Sequence, residues 1–206
     1  MEVRGFAIAV GLAAGLSACA ARGGPPPTTP GPGAPLVGGC GLAPDGLRPL
    51  YILPFPPGEA FDLTQGNCGR ESHTGRFRYA FDFRMPIGTP VIAARAGIVH
   101  DVRDDRPDGS GVVGDENFVI LDHGDGEYSR YIHLTPGGAL VTEGERVRAG
   151  DTIALSGYSG RSLFPHLHFD VARGCRPGPC RTVPSAFLNA DPPIPDDRRA
   201  YAAEGG

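Results

Sequence analysis

From Leu50 to Val171 the chain alternates short apolar runs with turn-forming residues and nowhere sustains a 3.6-residue period. That pattern restricts the fold to strands and turns. Candidate strands are Arg76–Phe83, Pro90–Ala94, Gly97–Val102, Phe118–Asp122, Ser129–Leu134, Thr152–Ser156 and His166–Val171. His123-Gly124-Asp125-Gly126 reads as a hairpin turn and Pro136-Gly137-Gly138 as a further break. The expectation is an all-β domain, a small antiparallel sheet or sandwich.

Side-chain parity along these strands says more than their existence, because successive residues face opposite sides. Phe77, Tyr79, Phe81 and Phe83 share one face, with Ala80 and Asp82 on the other. His166, His168 and Asp170 stand opposite Leu167, Phe169 and Val171, while Tyr131 and His133 stand opposite Ile132 and Leu134. Three strands each keep an apolar face and carry His or Asp on the reverse, as a sheet bearing a metal site does. Two imidazoles at i and i+2 lie side by side and can bind one ion jointly or divide the work between ligand and base. His100 and His123 have plain structural readings, one in a strand near acidic residues and one in a turn.

Composition limits the function classes. The net charge of −4 argues against nucleic acid as a partner. No heptad pattern, internal repeat or run of 18 apolar residues points to a coiled coil, solenoid or polytopic membrane protein. Gly (32) and Pro (22) are abundant, but the excess is partly local, since 12 of the 17 residues from Gly23 to Gly39 are Gly or Pro.

The N-terminus reads as an address. Residues 1–18 form a signal peptide, with Arg4 before an apolar run from Phe6 to Leu16 that is too short to span a bilayer. Leu16-Ser17-Ala18-Cys19 resembles the bacterial lipobox, in which the Cys carries diacylglycerol. Acyl chains on Cys19 would anchor the protein stably to a membrane. Ala20 rather than Asp after the Cys fits transfer to the outer membrane, so the expected location is periplasmic and lipid-anchored. The remainder of 19–39 reads as an extended tether, whose twenty or so residues reach on the order of 60 Å.

Lipidation of Cys19 leaves Cys40, Cys68, Cys175 and Cys180, for which three connectivities exist. Cys175-Arg176-Pro177-Gly178-Pro179-Cys180 closes around a turn, so the local pair is the natural choice, and Cys40–Cys68 would then fasten the start of the domain. Metal binding by the four fails on spacing, because no C-x2-C pair occurs. The domain is expected over 40–190, and the tail 191–206, with Pro192, Pro193 and Pro195, is read as disordered.

The region 72–171 resembles the lysostaphin/LytM-type zinc metallopeptidases that cut peptidoglycan cross-bridges. The blocks appear in that family's order. They are Tyr79-Ala80-Phe81-Asp82-Phe83, Pro86-Ile87-Gly88-Thr89-Pro90-Val91 and Ala94-Arg95-Ala96-Gly97-Ile98-Val99, then Asn117-Phe118-Val119-Ile120-Leu121-Asp122-His123-Gly124. Tyr131-Ile132-His133-Leu134, Gly144, Gly150, Gly157-Tyr158-Ser159-Gly160 and Pro165-His166-Leu167-His168-Phe169 follow. The resemblance implies the duplicated hybrid motif type of β fold, with Asp82 and His168 as zinc ligands and His133 and His166 as the catalytic histidines. Its third ligand is a His upstream of Asp82. The usual spacing is His-x3-Asp, but position 78 is Arg, and His73 gives His-x8-Asp. A turn at Thr74-Gly75-Arg76 would bring His73 back, and His73 is taken as the ligand.

Asn117 has two readings, a substrate contact or a turn cap, and Asp170 is either a strand-end polar residue or a partner for a ligand His. The implied activity is hydrolysis of peptide bonds in peptidoglycan stem peptides or cross-links, with a wall hydrolase as a possible partner. The alternative is an inactive wall-binding module that activates another hydrolase. A metallo-β-lactamase is disfavoured by Val171, a cupin by the absence of Glu after the His pair, and a serine hydrolase by the spacing around Ser159. The acidic stretch from Asp101 to Glu116 lacks the order of a calcium loop and reads as a solvated rim.

Overall fold

A computed structural model describes residues 47, 49–175, 179–195 and 200–204. These belong to one compact unit, 35–206. The expected signal peptide, Cys19, the tether and Cys40 lie outside the described residues.

Among the described residues there are twelve strands: β1 (Ala60–Gln65), β2 (Ala80–Phe83), β3 (Pro90–Ile92), β4 (Gly97–Arg103), β5 (Phe118–Asp122), β6 (Glu127–Ile132), β7 (Leu134–Ala139), β8 (Arg146–Val147), β9 (Thr152–Ser156), β10 (Leu167–Arg173), β11 (Arg181–Thr182) and β12 (Ala200–Ala202). Nine form one sheet in the order β12-β1-β2-β10-β6-β5-β4-β8, with β11 pairing β10, and three form a second sheet, β3-β9-β7. Every ladder is antiparallel. The expected all-β antiparallel class is the observed one.

Parity explains the core. Phe81, Phe83, Tyr131, Leu167, Phe169 and Val171 project from one face of the large sheet. They pack with Val91 and Ile153 of the small sheet and with Leu53, Phe55 and Phe187 of the flanking segments. Phe187 meets Phe81 edge-on at 5.2 Å between ring centroids. Each fully buried Phe stabilises the fold by about 3 kcal/mol.

Several expectations differ from the structure. The strand expected at Arg76–Phe83 starts only at Ala80, because Gly75–Phe77 forms a 3-10 turn. Phe77 therefore leaves the core series and lies edge-on to His168 instead. The strand expected to run through Leu134 ends at Ile132, and His133 adopts a left-handed φ of 68°. That residue breaks the alternation, so Tyr131 and Leu134 are both in the core while His133 is not. Pro136-Gly137-Gly138 interrupts pairing without ending β7, which bulges between its two pairs with β9. The tail read as disordered also contributes structure: β12 pairs with β1, and Ile194, Tyr201 and Ala203 join the core. Three apolar side chains scattered among Pro and Asp carry too little periodicity to reveal a short edge strand. Cys175 and Cys180 are bonded to each other as expected. Cys68 is also disulfide-bonded.

Candidate active site

The face of the large sheet opposite the core carries the site. Antiparallel register sets His168 beside Asp82 on one side and beside Ile132 on the other. Asp82 lies between two core phenylalanines and points the other way, as parity requires.

His73 reaches this face from the loop before the 3-10 turn and has no exposed surface. Its Nδ1–H donates to the Gly66 carbonyl at 2.8 Å. A carbonyl can only accept, so the proton is on Nδ1 and the Nε2 lone pair faces Asp82 Oδ1, 3.1 Å away. That contact lacks hydrogen-bond alignment, and Nε2 is left as a buried atom without a hydrogen-bond partner among the described residues. Arg78, where the usual spacing would place a His, turns its Nε to Cys68 Sγ.

His168 Nδ1 is 2.9 Å from the same Asp82 oxygen, and its Nε2 is 3.0 Å from Asp170 Oδ2. Burial works against a charge on His168, but hydrogen bonds to Asp170 and Asp82 outweigh it and push its pKa up to about 9. Asp82 is driven the other way: burial opposes its charge, yet the hydrogen bond from His168, with the imidazoles of His73 and His166 alongside, holds it well below the usual carboxylate range. His73, Asp82 and His168 offer one ligand atom each within 4.8 Å of one another. His73 with its buried, unused lone pair, the Asp82 carboxylate, and His168 once its Nδ1 proton is displaced fit a divalent metal with a coordination position to spare.

His166 and His133 flank the cluster. His166 Nδ1 donates to the Phe164 carbonyl at 2.9 Å, and His133 Nδ1 to the Ser159 carbonyl at 2.7 Å. Both rings therefore keep Nε2 as a proton acceptor. His166 Nε2 lies 3.7 Å from Asp82 Oδ1, and the two rings are 4.6 Å apart. Burial, with His166 and His168 alongside, lowers the His133 pKa to about 3. Burial likewise lowers that of His166. Both are neutral near pH 7.

All five residues expected in the site are brought together. Asn117 is not a substrate contact. It has no exposed surface, and its amide donates to the Arg106 and Leu134 carbonyls while accepting from the Arg106 N–H. It fastens the 104–116 loop to the strand end beside His133. Asp108 fastens the same loop to Tyr158 N and Thr135 Oγ1, so the acidic stretch borders the segment that positions His133. His123 is held by the Ala96 carbonyl and Ser129 Oγ, and His100 packs on Tyr128, in keeping with their structural readings.

Asp170 is the hydrogen-bond partner of His168, and what sequence reasoning missed is how it is held. Arg130 Nε and Nη2 grip its two oxygens at 2.7 Å each. Arg130 sits opposite Asp170 in the β6–β10 register. A same-face Arg–Asp pair was the available signal, but strand pairing is not written in one strand. Gly157 stands where the chain passes against the start of β7. Its role is close approach: a Cβ there would overlap backbone at Leu134–Thr135.

Residues 76–178 match the sequence profile of Peptidase family M23, and the chain belongs to that family. His73 lies just outside the matched stretch. The chain is 40% identical over 96 residues to the peptidoglycan DD-endopeptidase ShyA of Vibrio cholerae, a match covering 47% of this chain and 20% of ShyA. It is 35% identical over 145 residues to ShyB of the same organism, covering 68% of this chain and 30% of ShyB. The chain thus spans less than a third of the length of these two curated relatives. Among solved structures, the catalytic domain of the prophage-encoded M23 protein EnpA from Enterococcus faecalis aligns at a TM-score of 0.48 and 25% identity, covering 63% of this chain and 94% of that one.

Proposed function

We propose that the chain is a zinc-dependent endopeptidase that hydrolyses peptide bonds in peptidoglycan stem peptides or cross-links. The observation that carries this reading is the convergence of His73, Asp82 and His168 beside two neutral histidines whose Nδ1–H groups are already committed to carbonyls. His73 through Nε2, Asp82 through Oδ1 and His168 through Nδ1 would hold the ion. Bound there, zinc supplies Lewis acidity, acidifying water and polarising a scissile carbonyl.

The chain's own residues do the rest. The Nε2 of His133 or His166 accepts the proton of an attacking water and returns it to the leaving amine. The other imidazole stands ready to hold the charge that develops on the carbonyl oxygen. The Ser159 and Phe164 carbonyls keep both rings in the tautomer this needs. ShyA and ShyB are named peptidoglycan DD-endopeptidases, which supports a peptidoglycan substrate for this chain. An inactive wall-binding module is disfavoured because every member of the five-residue set is in place. Lipidation of Cys19 and a periplasmic position at the outer membrane complete the proposal, since a tether of that length suits a wall held at a distance from the membrane.

The test is mass spectrometry of muropeptides after incubating the full chain with purified cross-linked sacculi and Zn²⁺. Loss of dimers with a matching gain of monomers, abolished by His168→Ala, is the expected result. An unchanged profile despite wall binding would replace the enzyme with the binding module.

A further inference from the structure

The His-x8-Asp spacing leaves one ligand on a loop, with no strand register to place it. A single side chain at the end of β1 spans that loop and the other upstream ligand. Between Leu63 and Gln65 the β1–β2 ladder slips, so that Leu63 pairs with Phe83 and Gln65 with Asp82. The extra residue puts Gln65 beside Asp82. Gln65 Nε2 donates to Asp82 Oδ2 at 2.9 Å and to Ser72 Oγ at 2.7 Å. Its Oε1 accepts from the backbone N–H of Glu71 at 3.1 Å and of Ser72 at 3.2 Å. Both amide protons and both lone pairs are used, and the amide cannot flip, because N–H groups cannot accept and a carboxylate cannot donate.

The consequences reach both ligands. With Oδ2 held by Gln65, Asp82 is left with Oδ1 facing His73, His166 and His168. The same amide fixes residues 71 and 72, next to His73, while the carbonyl of Gly66, next to Gln65, orients the His73 ring. Gly69 closes over the clip, since a Cβ there would overlap the Gln65 side chain from Cγ to Oε1.

We infer that Gln65 is a positioning residue for the metal site, setting Asp82 and His73 relative to each other in place of the short helical or strand spacing the chain lacks. This rests on the metal-site reading above. Residues that orient metal ligands typically contribute about 10–100-fold in affinity. Gln65→Met in the full chain should weaken Zn²⁺ binding by about that factor in chelator competition. It should also shift the visible absorption of the Co²⁺-substituted protein, and lower kcat with KM unchanged. Gly69→Ala should reproduce the loss in the parent and add little to Gln65→Ala, since the overlap is then gone. Zinc affinity and kcat within about two-fold of the parent (under half a kcal/mol) would overturn the inference. So would a metal-free Tm lowered by more than roughly 5 °C, which would place Gln65 in folding instead. His168→Ala separates the two levels. If it too binds zinc normally, the metal-site reading fails; if it abolishes binding while Gln65→Met does not, the positioning role alone fails.

Discussion

Replacing Arg130 by Met removes two charged hydrogen bonds of 2.7 Å and strands the Asp170 carboxylate, which has no exposed surface. Breaking a buried pair by deleting one partner costs about 3–5 kcal/mol, because the surviving charge is left in a poor solvent. Here His168 keeps its 3.0 Å contact with Asp170, so the lower end, about 3 kcal/mol, is expected. At roughly 2–4 °C per kcal/mol for a domain of this size, Tm should fall by about 6–12 °C. The assay is urea unfolding of the metal-free protein, read as a change in midpoint at constant m. Arg130→Met/Asp170→Leu should recover much of the loss, since an apolar pair replaces the ionic one. Burial alone would raise the Asp170 pKa, but Arg130 and His168 hold it below the ordinary value. Asp170 therefore stabilises the fold above about pH 4 and loses that contribution as pH falls through its folded pKa. Arg130→Met should begin losing stability on acidification at a higher pH than the parent. A single-variant cost under about 1 kcal/mol, or a double variant no better than the single, would refute the argument.

His73→Ala should lose zinc by more than 10-fold in chelator competition, since it removes the buried Nε2 lone pair that faces Asp82. The metal-free protein should be most stable near pH 6.5, as read by the urea midpoint across pH. His133 and His166 have lowered pKa values, so their contribution is lost as pH falls below about 6.5, whereas raised His168 loses its own as pH climbs through about 9. His168→Gln should flatten the alkaline side only. Gly157→Ala should lower both Tm and kcat, because the added methyl meets backbone that cannot yield and displaces the Ser159 carbonyl from His133. Asn117→Ala should cost about 2–3 kcal/mol in urea unfolding, with three side-chain hydrogen bonds lost. KM of that variant for wall peptides should stay at the parent value, which separates the scaffold role from substrate contact.

The sequence alone determined the strand class and the apolar faces of β2 and β10, and its resemblance to a known family singled out the site residues, whereas Tyr131, expected beside His133, lies in the core. Strand class and facing are local properties: alternation fixes which side chains share a face, and His-x-His on a strand needs no partner to be seen. Phe118–Asp122 and Thr152–Ser156 were legible to the residue for that reason. Only the tertiary structure decided the rest. Whether His73 reaches Asp82 across a long gap depends on the β1 slip and the Gln65 amide, and the role of Asn117 depends on a loop closing over it. His133 joins the site through a left-handed residue where β6 leaves the large sheet, and parity predicts nothing across such a break. Strand pairing sets Arg130 against Asp170 and β12 against β1. Long-range register is a property of two segments together, so no single segment carries it.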